Sequence, residues 1–208
     1  MENYSNLNKG SYISTKRKII FICVPNFMFN IENNFQNIFF LYTCPSLNLE
    51  CINLKNEKIL SVDSYFTASD LDLNLEFQQY YKFTIIRNPW ETLVSIYLNL
   101  QNSQSNTYLS RSAKFFNFKD WAIYASNILK LPNTYYTHSE NNKQLINFVI
   151  RYEYFNQDFK KFCSIHNVPY KEIKTYMTKD YQKYYDKDLI EYLNSFLKID
   201  EINYGYKV

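Results

Sequence analysis

Three short apolar, β-prone stretches, at residues 18–24, 83–86 and 148–152, constrain this chain more than any other feature. Each is too brief for a buried helix and lacks the strict alternation of a half-wet strand, so each reads as a strand buried on both faces. Helical periodicity follows each one. After the first, Ile31, Phe35, Ile38 and Phe39 share a face over residues 31–42. After the second, Trp90, Leu93, Val94, Tyr97 and Leu100 do the same, and after the third, Phe155, Phe159 and Phe162. Strands alternating with helices specify an α/β fold, with a central, mostly parallel sheet flanked by helices.

The remaining segments fit around this frame. Residues 1–17 are polar and read as a frayed tail, leaving 18–208 as a single domain. Weak strands are expected near 50–54 and 57–62, and a helix over the acidic stretch 69–77. Residues 101–112 are rich in Ser, Asn and Gln and read as an exposed loop. A helix capped by Asn117 buries Phe118, Trp121, Ala122, Ala125 and Leu129. Residues 131–144 read as irregular. A last helix starts at Asp186 and buries Leu189, Ile190, Leu193 and Leu197.

Glycine is nearly absent: the chain has 208 residues and two glycines, Gly10 and Gly205. Average usage of about 7% would supply roughly fourteen. Every motif that needs a run of glycines is therefore excluded, including the dinucleotide fingerprint and the Walker loop. A phosphate-binding loop in this chain must be built from residues with side chains. Aromatic residues make up 19% of the chain, enough to fill a core and exclude disorder. Tyrosine is spread along the whole chain, which argues for compositional drift over a dedicated sugar-stacking platform. The net charge of +3 is too small for a general nucleic-acid binder. Tyr/Lys interleaving over 181–187 has the chemistry of a single-strand contact but stands alone.

Cys23, Cys44, Cys51 and Cys163 contain no C-x-x-C pair, and with two histidines in the chain no metal site is expected. Cys44 and Cys51 could bridge on spacing alone, but free thiols suit the cytoplasmic location expected for a chain with no signal-like N-terminus. The longest apolar stretch, residues 19–24, is far too short to span a membrane.

The second strand carries the chemistry. It runs into Arg87, Asn88, Pro89, Trp90 and Glu91, a well-formed helix start. Asn88 can serve as N-cap, Pro89 takes the first helical position and Glu91 can complete a capping box. Arg87 ends a buried strand at its carboxyl edge, where open α/β sheets bind ligands. A guanidinium beside a helix N-terminus suits an anion. At about 100° per residue, Thr92, Ser95 and Asn99 fall opposite the apolar stripe, so Ser95 is expected on an accessible face, able to donate to the same anion. An Arg in this position can also pair with a nearby carboxylate.

Residues 83–97 resemble the 3′-phosphate-binding segment of sulfotransferases, particularly the carbohydrate-type and bacterial branch, whose pattern is R-N-P-x-x-R-x-x-S-x-Y. Arg87, Asn88, Pro89, Ser95 and Tyr97 match it, and Thr92 stands where the family has a second Arg. Residues 148–159 are similar to the family's R-F-E-x-L-x-x-D-F segment, with Arg151 and Glu153 in the matching places. Residues 181–191 and 202–206 are similar to its Y-x-x-Y-Y-D-x-x-L-I-E…F-G-Y ending, with Gly205 at the family's glycine.

The resemblance implies a three-layer, P-loop-like fold and a nucleotide donor, 3′-phosphoadenosine 5′-phosphosulfate, whose 3′-phosphate Arg87 and Ser95 would hold. It implies sulfuryl transfer to a carbohydrate hydroxyl or amine, with a glycan acceptor as partner and neither nucleic acid nor metal involved. The family's 5′-phosphosulfate loop reads P-K-T/C-G-G-T-S. Here Pro25 is followed by Asn26, Phe27, Met28, Phe29 and Asn30. Asn26 replaces the Lys that stabilises the leaving oxygen, and Met28 and Phe29 replace the glycine pair. Asn26 and Asn30 are the polar groups that remain for that end of the donor. His138, in the segment that lies near the acceptor in the family, is the candidate general base, and His166 reads as a helix-end residue facing terminal carbonyls. The alternative is a catalytically degenerate relative that binds nucleotide, glycan or a partner protein without transfer.

Overall fold

The computed structural model describes residues 12–24, 50–51, 67–72 and 75–208. The helix expected over 31–42, the strand near 57–62, the loop with Asn26 and Asn30, and Cys44 of the possible bridge lie outside the described residues.

Among the described residues five strands form one sheet: β1 (Tyr12–Ser14), β2 (Ile19–Ile22), β3 (Glu50–Cys51), β4 (Tyr81–Ile86) and β5 (Phe148–Arg151), in the order β3-β1-β2-β4-β5. β2, β4 and β5 run parallel, and β1 is antiparallel to both β2 and β3. Four of the five strands therefore point one way, which makes this an α/β protein with a mostly parallel sheet. Among the described residues eight helices accompany it: α1 (Ala68–Asp72), α2 (Leu75–Gln78), α3 (Pro89–Asn102), α4 (Tyr108–Phe115), α5 (Phe118–Ser126), α6 (Asn133–Thr137), α7 (Phe155–His166) and α8 (Lys187–Tyr204).

The chain divides into two compact units, residues 1–86 with 136–175, and residues 87–135 with 176–208. The first holds the sheet in three layers. Register places Phe21 beside Phe83 and Phe83 beside Phe148, so phenylalanines line one face. Phe162 of α7 covers them, with ring centroids 4.3 Å from Phe83 and 5.7 Å from Phe148. The period of two sends Ile20 and Ile22 to the opposite face, where they cluster with Ala68 and Leu71 of α1 and with Tyr80 and Ile146.

The second unit is helical. The stripe Trp90, Leu93, Val94 and Tyr97 of α3 packs with Ala113 of α4, with Phe118, Trp121, Ala122 and Ala125 of α5, and with Leu189, Leu193 and Leu197 of α8. Asn117 caps α5 as the sequence indicates, accepting from the Asp120 amide, and Asp186, where the last helix is expected to start, is the residue that caps α8, accepting from the Leu189 amide.

Three local expectations are corrected. The tail expected over 1–17 contains β1, because Tyr12 and Ser14 are buried and Tyr12 stacks on Phe21. The loop expected over 101–112 shrinks to 103–107. Thr107 caps α4 by accepting from the Ser110 amide, and Ser110 and Ala113 anchor that helix in the core. The segment 131–144 is not wholly irregular, since α6 forms within it.

Candidate functional site

The site is built from the turn between β4 and α3. Asn88 caps α3 through Oδ1, which accepts from the Trp90 amide at 3.0 Å, and Pro89 takes the first helical position. Its Nδ2 donates to the Tyr181 hydroxyl at 3.1 Å and to the Lys207 carbonyl at 3.0 Å. One turn on, the Tyr185 hydroxyl donates to the Trp90 carbonyl at 2.6 Å. Burial first, and then the neighbouring Tyr181 and Glu91, push the Tyr185 phenol well above its ordinary range, so it remains a donor. The middle and C-terminal motifs read from the sequence thus meet at Asn88 and Trp90.

Arg87 is held at both its side chain and its backbone. Its Nε and Nη2 donate to the two carboxylate oxygens of Glu91, and Nη2 also donates to the Tyr176 carbonyl at 3.2 Å. Glu91 Oε1 accepts in addition from the Thr178 amide at 2.7 Å. Arg87 is 2% exposed and Glu91 0%. The Arg87 carbonyl accepts from Asn133 Nδ2 at 3.0 Å. Asn133 is in turn bound by Asp200, whose Oδ2 accepts from its amide at 2.7 Å and from its Nδ2 at 2.8 Å. Asp200 Oδ1 accepts from the Thr134 amide and hydroxyl at 2.8 and 2.6 Å. Burial pushes the Asp200 carboxyl up, and the hydrogen bonds from Thr134 and Asn133 oppose that rise.

The other residues singled out in the sequence are placed as follows. Ser95 is 8% exposed, because α3 is buried on every side from Pro89 to Tyr97. Its position opposite the apolar stripe therefore does not make it accessible, and Asn99 is the residue of that face that reaches solvent. Glu91, expected in a capping box, gives its carboxylate to Arg87 and Thr178, since a buried guanidinium is the stronger partner. Asn26 and Asn30 lie outside the described residues.

His138 belongs to the first unit and is buried, with Nδ1 2.9 Å from the Thr137 hydroxyl and its carbonyl accepting from Ser69 Oγ at 3.3 Å. Arg151 pairs with the buried Asp158, which accepts from its Nε at 3.0 Å and its amide at 3.1 Å. The ring of His166 packs against Tyr81 and Phe162, and its carbonyl accepts from Arg17 Nη1 at 3.0 Å. Cys23 and Cys163 are buried free thiols; burial raises both, Cys163 to about 11. Among the described residues, no cluster of three or more His, Cys, Asp or Glu side chains could hold a metal ion, and no helix is long and apolar enough to cross a membrane.

Sequence reasoning missed Glu91 as the Arg87 partner, and it missed Asn133 and Asp200 altogether. Two signals were available. Arg87 and Glu91 stand at i, i+4, the spacing of a helical ion pair. Asp200 continues the stripe Leu189, Leu193, Leu197 at helical spacing, which marks it as an inward-facing carboxylate.

Compared with models of known protein families, with curated proteins and with solved structures, the chain matches none.

Proposed function

We propose that this chain is a sulfotransferase-like transferase of P-loop-like descent. Its donor is 3′-phosphoadenosine 5′-phosphosulfate and its acceptor a carbohydrate hydroxyl or amine. The observation that supports this reading is the order Arg87, Asn88, Pro89, Ser95, folded as the end of a parallel strand and the start of a capped helix. In this reading Arg87 and Ser95 bind the 3′-phosphate, and Asn26 and Asn30 are the polar residues left in the sequence to serve the 5′ end of the donor. The acceptor atom forms its bond to sulfur as the bond to the 5′-phosphate oxygen breaks, leaving adenosine 3′,5′-bisphosphate. The acceptor proton passes to a base, for which His138 is the candidate. Most of the rate in such transfers comes from positioning and charge stabilisation.

A specific observation favours a second reading, a relative that binds nucleotide, glycan or a partner protein without transfer. Glu91 already neutralises Arg87, and residues 25–32 contain no Lys or Arg to stabilise the leaving group.

Isothermal titration with adenosine 3′,5′-bisphosphate, run beside a sulfate-transfer assay on a panel of glycans, decides between them. Saturable binding lost in Arg87→Ala, together with transfer, is the outcome expected of the first reading. Binding without transfer selects the second. No binding by the intact chain removes the donor from both.

A further inference from the structure

Arg87 is held at its side chain by Glu91 and Tyr176 and at its carbonyl by Asn133. Glu91 engages Nε and Nη2 together, which fixes the plane of the guanidinium relative to α3. The irregular segment 176–178 grips the same pair, with the Tyr176 carbonyl on Arg87 and the Thr178 amide on Glu91. The backbone is held independently. Asn133 Nδ2 reaches both the Arg87 carbonyl and Asp200 Oδ2, so the Asp200 carboxylate sets the rotamer of the group that holds Arg87 in place. Asp200 is 0% exposed and takes four hydrogen bonds from Asn133 and Thr134.

Buried carboxylates are expensive. Replacing such groups by apolar residues of similar size is often neutral or stabilising, so two at one turn are poorly explained by stability alone. They are well explained as a frame. A ligand-binding side chain held in its working geometry loses less freedom when the ligand arrives.

We infer that Glu91, and Asp200 acting through Asn133, are positioning residues that hold Arg87 for recognition of a nucleoside 3′-phosphate. This rests on the reading of Arg87 as a 3′-phosphate ligand. With Glu91 in place, the pair carries no net charge. Recognition therefore depends on where the guanidinium donors point more than on long-range attraction, and it is sensitive to small displacements of Arg87.

The test compares two ligands on the full chain, adenosine 3′,5′-bisphosphate and adenosine 5′-phosphate, by isothermal titration. The ratio of their affinities isolates the 3′-phosphate. In Glu91→Gln, Asp200→Asn and Asn133→Ser the ratio is expected to fall about tenfold, the scale of one hydrogen bond to a charged group, while adenosine 5′-phosphate affinity holds within about twofold. Asn133→Ser leaves Asp200 and its Thr134 bonds intact, so it carries the test if Asp200→Asn does not fold. An unchanged ratio in folded variants overturns the inference. So does an equal loss for both nucleotides, which marks a structural role. A tighter bisphosphate complex in Glu91→Gln also overturns it, since Glu91 would then be a competitor for Arg87 and not its support. If the unaltered chain binds both nucleotides equally, the 3′-phosphate reading of Arg87 falls, and this inference falls with it.

Discussion

Arg87 and Glu91 stand one helical turn apart and are joined at two points, with Nε and Nη2 of the one against both carboxylate oxygens of the other. Neither is more than 2% exposed. Removing one partner strands the other in a low-dielectric site, which typically costs about 3–5 kcal/mol, whereas removing both in favour of apolar groups is far cheaper. Glu91→Ala is therefore expected to lower the urea-unfolding free energy by about that amount, and Arg87→Met with Glu91→Leu by much less. A Glu91→Ala loss below about 1 kcal/mol, the upper end for exposed ion pairs, would show that the pair is solvated.

Asn88 does two jobs with one amide. Its oxygen caps α3, and its nitrogen ties the turn to Tyr181 and Lys207. Asn88→Asp keeps the first and loses the second; Asn88→Ala loses both. Thermal unfolding is expected to rank them wild type, Asp, Ala, with the cap alone contributing about 1 kcal/mol. An Asp variant as weak as Ala would mean that the tie to the C-terminal segment, not the cap, carries the effect.

What the sequence made legible follows from range. The strand at 83–86, the caps at Asn88 and Asn117 and the helix start at Asp186 rest on neighbours within four residues, and all appear in the structure. The stripe on α8 was legible too, but Asp200 sits on it as an acid where the pattern counts only apolar residues. Ser95 was misplaced because periodicity ranks the faces of a helix, while burial depends on what packs against each face. β1 was hidden by a polar tail whose Tyr12 becomes apolar surface only once Phe21 lies beside it. The bond from Asn133 to Arg87 spans 46 positions and leaves no local trace.

His166 offers a pH readout. Its ring centroid lies 4.5 Å from that of Tyr81 and 4.6 Å from that of Phe162. Burial, and secondarily the Arg17 charge, hold its pKa below the ordinary histidine value of 6.5. The unfolded chain therefore takes up this proton more readily than the folded one. Stability from this group is complete above pH 6.5 and is lost as pH falls from there through the folded value. Imidazole titration by NMR is expected to give a midpoint below 6.5, and Arg17→Ala to raise it part of the way. A midpoint at or above the ordinary value, or one indifferent to Arg17, refutes the account.

Phe162 packs on Phe83 and Phe148 of the phenylalanine-lined sheet face, and it is wholly buried. Phe162→Ala removes a ring and leaves a cavity over β4 and β5, with an expected cost of about 3–5 kcal/mol; Phe162→Leu, which refills most of the volume, should cost much less. Urea denaturation measures both. Equal losses would argue against a cavity as the cause.

Gly205 is where glycine scarcity meets a position that demands glycine. It ends α8 with φ +74°, and its amide donates to the Glu201 carbonyl at 2.9 Å. A Cβ built there meets nothing within 4 Å, so any penalty for a side chain comes from the backbone alone. Left-handed geometry costs an L-residue about 1–2 kcal/mol, less for Asn. Gly205→Ala is expected to lose about 1 kcal/mol in thermal unfolding, and Gly205→Asn less. The position also has a consequence for the site, because two residues later the Lys207 carbonyl accepts from Asn88 and Tyr181. If this turn delivers Lys207 to Asn88, then Gly205→Ala and Asn88→Asp disturb one connection, and the double variant should lose less than the sum of the singles. Strict additivity would show that the helix end and the β4–α3 turn are energetically independent.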